Sequence, residues 1–229
     1  MHTTSMNREP FAIDEWYHCY NRGVEKRTVF ESEFDASRFL MLLYLANSER
    51  PIGLFNMKKP EVTRVLTAER GSPIVAIGAY CLMPNHYHIL VKEIVEGGIS
   101  SFMRKLSIAY TMYFNEKNER TGNLFLRPFR SRHVATDRYL QRVISYIHFN
   151  PAELYETKWK EGRVKNIRAL ERRLIEYPYS SLRSYVNTTI KDPILSAEGF
   201  EVAHNDSISQ VLEDARAYYA EVADERLEQ

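Results

Sequence analysis

The order of apolar and polar positions divides the first two thirds of the chain into alternating strands and helices. Residues 15–21, EWYHCYN, read as a short strand that stops at the turn signal Asn21-Arg22-Gly23. Ser32 then has the chemistry of an N-cap, and Phe39, Leu42, Leu43 and Ala46 recur at helical spacing, which predicts a helix over about 33–47. Residues 48–72 carry Pro51, Gly53, Pro60 and Gly71 among scattered charges and read mostly as loop. An apolar run of strand length, IVAIGAYCLM at 74–83, breaks at Pro84-Asn85 and resumes as HYHILVKE, the pattern of an antiparallel hairpin. From Ile99, apolar residues return at Phe102, Met103, Leu106, Ala109, Tyr110 and Tyr113, a helix that closes near Gly122. LFLRPFRSRHV at 124–134 reads as a strand interrupted by Pro128, hence an edge or a bulge. Thr136 is placed to cap a further helix whose buried stripe is Leu140, Val143, Ile144 and Ile147, and Pro151 ends it.

That order, with its hairpin, is an α+β pattern: a central antiparallel sheet with helices packed on it. Beyond Pro151 the pattern weakens. A helix is expected from Asn166 to Ile175, then an aromatic cluster YPYSSLRSY, then an acidic helix from Ser207 to Glu228. The expected organisation is an α+β domain over 11–152 and a C-terminal helical extension over 153–229.

Composition adds a compartment and a charge pattern. The apolar run near Pro73–Met83 is far short of the ~20 residues of a membrane helix. The N-terminal stretch MHTTSMNREPF lacks the apolar core of a signal peptide. The two cysteines, Cys19 and Cys81, stand outside any CxxC, so free thiols in a cytoplasmic location are expected, with no membrane partner. Ser101–Arg142 holds nine Lys or Arg against three acids, whereas Ile190–Gln229 holds three basic residues against ten acids. A near-neutral total of +1 thus conceals a basic middle, suited to a polyanion, and an acidic tail.

The candidate chemistry begins in the second strand of the hairpin. Strand side chains alternate, so His86 and His88 face one side while Tyr87, Ile89 and Val91 face the other. Two imidazoles at alternate strand positions can grip one cation, and they can equally be two hydrogen-bonded histidines. On the helix at 137–150, Tyr139, Arg142, Tyr146 and Asn150 share a stripe at the edge of the apolar face. Asn150 offers an amide oxygen, a hard ligand for Mg²⁺ or Mn²⁺, one turn beyond Tyr146; as a plain helix C-cap it needs no metal.

YHCYNRG, CLMPNHYHILV, LFLRPFRSRHV and above all YIHFNP resemble the single-tyrosine HUH transposases, with His86-Tyr87-His88 filling the His-hydrophobic-His motif. The closest look is to the REP-associated tyrosine transposase branch, over about residues 11–152. The resemblance implies an HUH, ferredoxin-like fold. It implies single-strand DNA nicking and strand transfer through a 5′-phosphotyrosine, on hairpin-forming repeats. Tyr146 matches the nucleophile; His86, His88 and Asn150 match the metal site, with Mg²⁺ or Mn²⁺ as cofactor. Asparagine at 150, where the insertion-sequence branch has glutamine, favours the REP-associated branch.

The implied partner is single-stranded or hairpin DNA, bound by a monomer or homodimer. Arg127, Arg130 and Arg132 are the expected backbone contacts, with Arg104 and Lys105 as further candidates. Tyr139 is the rival nucleophile, but its neighbour one turn on, Val143, cannot ligate a metal. Two other readings remain: a non-cleaving DNA- or RNA-binding regulator on the same fold, and a small-substrate metal hydrolase. The second needs more ligands than His133 and His148 supply.

Overall fold

The structure, a computed structural model, describes residues 10–51, 61–201 and 210–218, the side chains of 200 and 201 aside. Four strands form one antiparallel sheet in the order β2-β3-β1-β4: β1 (Trp16–Arg22), β2 (Val75–Met83), β3 (His86–Glu93) and β4 (Arg130–Val134). The helices are α1 (Glu33–Ala46), α2 (Val62–Leu66), α3 (Gly98–Lys117), α4 (Asp137–Phe149), α5 (Ile167–Glu176), α6 (Leu182–Val186) and α7 (Ala197–Glu201). Residues 210–218 are also helical. The expected α+β fold is therefore present, with helices beyond 152. The acidic helix expected over 207–228 falls partly outside the described residues.

The sheet separates two cores. One face carries Tyr87, Ile89 and Val91 of β3 against Phe39 and Leu43 of α1 and Phe102, Leu106 and Tyr110 of α3. The other carries Ala79, Cys81, Met83 and Leu90 against Val143, Ile144, Tyr146 and Ile147 of α4. Trp159, Leu170, Leu174, Leu182, Ala215 and Tyr218 join this second core, so the extension packs beside the helix that carries Tyr146.

β2 serves both cores through a bulge. Its register against β3 shifts between Ile77 and Ala79, so Ile77 faces the first core while Ala79, Cys81 and Met83 face the second. Gly78 at that bulge lies so close to Gly199 of α7 that a Cβ on Gly199 would stand 2.6 Å from the Gly78 Cα.

Two caps act as their sequence predicts. Ser32 and Asp35 form a reciprocal capping box on α1. The Thr136 side chain accepts from the Tyr139 amide at 3.2 Å and starts α4. The strand expected over 124–134 is shorter: only Arg130–Val134 is strand, and Phe125 makes a single bridge to Gly23. Pro128 has no N–H to give a ladder, and regular pairing begins only after it.

Candidate active site on the α4 face of the sheet

Antiparallel register decides which side chains meet. Residues opposite each other on paired strands project to the same face. Tyr20 of β1 lies opposite His88, Arg22 opposite His86, and His18 opposite Leu90 and Arg132. His86 and His88 therefore share their face with His18, Tyr20, Arg130 and Arg132, and α4 packs over that face.

The helix brings Tyr146 onto the histidines. Its ring centroid is 5.3 Å from that of His88 and 5.8 Å from that of His18. The His86 and His88 rings are 5.1 Å apart and nearly perpendicular. Tyr146 and Asn150 are both buried, one turn apart, and the Asn150 amide Nδ2–H donates to the Tyr146 carbonyl at 2.9 Å. The plain cap reading of Asn150 and the ligand reading thus coexist: the amide nitrogen closes the helix, leaving Oδ1 as the oxygen donor. Tyr139 does not reach the histidines in the same way; its ring lies 5.6 Å from that of Tyr218, under the Arg132 guanidinium.

Hydrogen bonds fix how the imidazoles are presented. Asn85 donates its amide to the Lys26 carbonyl at 3.1 Å, so its Oδ1 is the atom that accepts from His86 Nδ1–H at 2.7 Å. The Asn150 side chain lies within hydrogen-bond reach of the same imidazole. Burial, reinforced by Arg22, holds the His86 pKa down to about 4, against the hydrogen bond to Asn150. A neutral imidazole with its proton on Nδ1 is the form that ligates a metal through Nε2. Among the described residues no set of three or more His, Cys, Asp and Glu converges on a metal position; the donors here are two imidazoles and a carboxamide. Two neutral imidazole nitrogens and an amide oxygen could hold a divalent transition ion such as Mn²⁺ more readily than Mg²⁺, a harder ion that prefers oxygen ligands.

Two residues at this site were not picked out as functional from the sequence. His18 is buried on β1, with Nε2 2.8 Å from His88 Nδ1 and Nδ1 2.6 Å from the Tyr218 hydroxyl. Burial, with Arg132 adding to it, lowers its pKa to about 3. Tyr218, in the helical segment 210–218, lies 4.6 Å ring to ring from Tyr146, and its phenol pKa is raised by burial and by Tyr139 and Tyr146 beside it. The alternation in EWYHCYN places His18 and Tyr20 on one face, but not which face; Tyr218 is 200 residues from its partner and carries no local signal.

The basic candidates divide between the two faces. Arg130 and Arg132 lie on the histidine face, and Arg132 sits over the rings of Tyr139 and Tyr218. A cavity of about 420 Å³ beside the start of α4 is lined by Arg132, His133, Arg138, Tyr139 and Arg142. Arg127 is exposed in the loop before β4. Arg104 and Lys105 are on α3, across the sheet from the histidines, and the Lys105 ammonium is held by the carbonyls of Ser48 and Arg50. His148 is likewise removed from the site: its Nε2 hydrogen-bonds the Ser181 hydroxyl at 2.8 Å. Cys19 and Cys81 are both buried, outside any disulfide.

Residues 54–150 match the family model described as "Transposase IS200 like", a stretch that contains both histidines, Tyr146 and Asn150. The resemblance carried by MPNHYH and YIHFNP is thus to a DNA transposase family, on the antiparallel sheet and packed helices described above. A solved structure described as a REP-associated tyrosine transposase bound to a REP hairpin is similar at 14% identity, covering 89% of this chain and 99% of that one, with a TM-score of 0.49. No curated protein gives a significant match. Among the described residues no helix is long and apolar enough to cross a membrane.

Proposed function

We propose that this protein nicks single-stranded DNA and transfers the cut strand, with Tyr146 as nucleophile and a divalent metal ion held by His86, His88 and Asn150. The observation that carries this reading is the meeting of Tyr146 with His88 at 5.3 Å, beside His86 and with Asn150 one turn on. Those four residues come from a hairpin strand and a helix, and both lie within the IS200-like segment.

In the reaction, the Tyr146 phenol oxygen attacks the scissile phosphorus and the bond to the 3′ oxygen breaks. The phenol proton passes to solvent, and the departing 3′ oxygen takes one up as a free hydroxyl. The 5′ phosphate stays joined to Tyr146, so a second 3′ hydroxyl can reverse the step and join new ends without an outside energy source. A divalent ion, when bound, would supply Lewis-acid polarisation of the phosphate and offset its developing charge. His86 and His88 would hold it from the sheet and Asn150 from the helix end, while the packing of α4 positions the phenol beside them. Arg130 and Arg132, with Arg138 and Arg142 at the cavity beside α4, are placed to take the phosphates of a single strand or hairpin. The asparagine at 150 supports the REP-associated branch and hairpin-forming repeats as the substrate.

The test is a covalent-adduct assay with 5′- and 3′-labelled hairpin DNA and Mn²⁺. Transfer of the label on the 5′-phosphate side to protein is expected. Binding of the hairpin with no adduct under any metal condition would replace this reading with that of a non-cleaving binding regulator.

A further inference from the structure

We infer that His18 is a positioning residue for the metal site: it accepts from His88 Nδ1–H and thereby fixes the tautomer and ring orientation of that ligand. The inference rests on the metal-site reading above. Its basis is a buried chain of two hydrogen bonds, Tyr218 hydroxyl to His18 Nδ1 at 2.6 Å and His18 Nε2 to His88 Nδ1 at 2.8 Å.

The chain allows two proton arrangements. In one, Tyr218 donates to His18 Nδ1 and His18 Nε2–H donates to His88 Nδ1. His88 then carries its own proton on Nε2, the nitrogen on the far side of the ring from His18, and has no lone pair there for a metal. In the other, His88 Nδ1–H donates to His18 Nε2, and His18 Nδ1–H donates to the Tyr218 oxygen. Only this second arrangement presents His88 Nε2 as a ligand. His86 is set the same way by another device, since its Nδ1–H is committed to Asn85 Oδ1. The two ligands thus have matching supports, one from the hairpin turn and one from β1.

Packing alone does not call for a histidine at 18. The residue is 2% exposed and ringed by Tyr20, His88, Tyr146 and Tyr218, a place that phenylalanine fills without polar atoms to satisfy. Both of its nitrogens are instead engaged, one of them on His88. The hydroxyl of Tyr218 closes the chain from the far end of the sequence, so the helical segment 210–218 bears on the ligand through His18.

The experiment is Mn²⁺ titration of the full chain, with free Mn²⁺ read by electron paramagnetic resonance and no DNA present. His18→Phe is expected to weaken Mn²⁺ binding by about 10- to 100-fold, the usual cost of losing such a support. His18→Gln, which restores an acceptor near the Nε2 position, is expected to recover most of that loss. Equal Mn²⁺ affinity in the unaltered chain and a folded His18→Phe would overturn the inference while leaving the metal site standing. Equal loss in both variants would also overturn it, as damage to packing. No Mn²⁺ binding by the unaltered chain would remove the metal reading itself. Independently of any variant, ¹⁵N spectra of the unaltered chain with Mg²⁺ are expected to show His88 protonated on Nδ1; protonation on Nε2 would refute the assignment.

Discussion

The Tyr146 ring stands edge-on to the His88 imidazole, with the planes at 89° and the centroids 5.3 Å apart. One residue comes from the last turn of α4 and the other from β3, and neither is positioned by its own element alone. The helix is held by its apolar stripe, Leu140, Val143, Ile144 and Ile147, on the sheet face that β3 shares. From this relationship Tyr146→Phe is expected to abolish the covalent DNA adduct and to leave hairpin binding within about twofold, since the ring and its packing remain. Tyr139→Phe is expected to retain the adduct, because its ring contacts lie with Tyr218 and Arg132. Adduct on the Tyr146 variant, resolved by gel and peptide mapping, would move the nucleophile elsewhere.

Asn150 tests the metal reading from the helix end. Asn150→Ala removes the amide oxygen and also the donor to the Tyr146 carbonyl. Mn²⁺ affinity is expected to fall by about 10-fold or more, with DNA binding measured in chelator unchanged. Asn150→Asp keeps an oxygen ligand and adds charge, so it is expected to bind Mn²⁺ at least as tightly as the unaltered chain. Calorimetric titration of both variants distinguishes a ligand from a cap: if Asn150 only caps, the two variants lose thermal stability and keep the same Mn²⁺ affinity.

The parts of this site that were legible in the sequence are those encoded by local periodicity. Alternation placed His86 and His88 together against Tyr87, and the 3.6-residue repeat placed Tyr146 and Asn150 one turn apart; all of these appear as read. The approach of hairpin to helix was not a local property and entered through a motif resemblance. His18 required the β1–β3 register, and Tyr218 required the return of the chain across 200 residues. Charge does not tell the two faces apart: Arg104 and Lys105 count toward the basic middle, and the sheet stands between them and the histidines. The acidic tail, read by its charges, hid the fact that Ala215 and Tyr218 are buried.

Acid is expected to destabilise the fold through its buried histidines. Burial lowers the His148 pKa to about 3, from an ordinary value near 6.5. Below pH 6.5 the unfolded chain takes up this proton and the folded chain does not, so stability falls as pH drops from 6.5 toward 3. The slope from one such histidine is at most about 1.4 kcal/mol per pH unit. Urea midpoints at pH 7, 5.5 and 4.5 measure it, and His148→Gln, which keeps a polar group toward the Ser181 hydroxyl, is expected to show a shallower decline. Parallel declines in the two proteins would mean that His148 is protonated in the folded state well above pH 3.

The two faces of the sheet make opposite predictions for DNA binding. Arg132 lies opposite His18 in the β1–β4 register and over the rings of Tyr139 and Tyr218, at the edge of the basic cavity beside α4. Arg104 lies on α3, behind the other core. Each phosphate contact on a single strand contributes about 0.7 to the slope of log affinity against log salt. Arg132→Ala is therefore expected to weaken binding of a hairpin-bearing strand and to reduce the magnitude of that slope by about 0.7, whereas Arg104→Ala leaves both unchanged. Fluorescence anisotropy over a series of salt concentrations reads the two slopes directly. A lower slope for Arg104→Ala with none for Arg132→Ala would place the DNA on the α3 side, away from Tyr146, and would separate binding from the proposed chemistry.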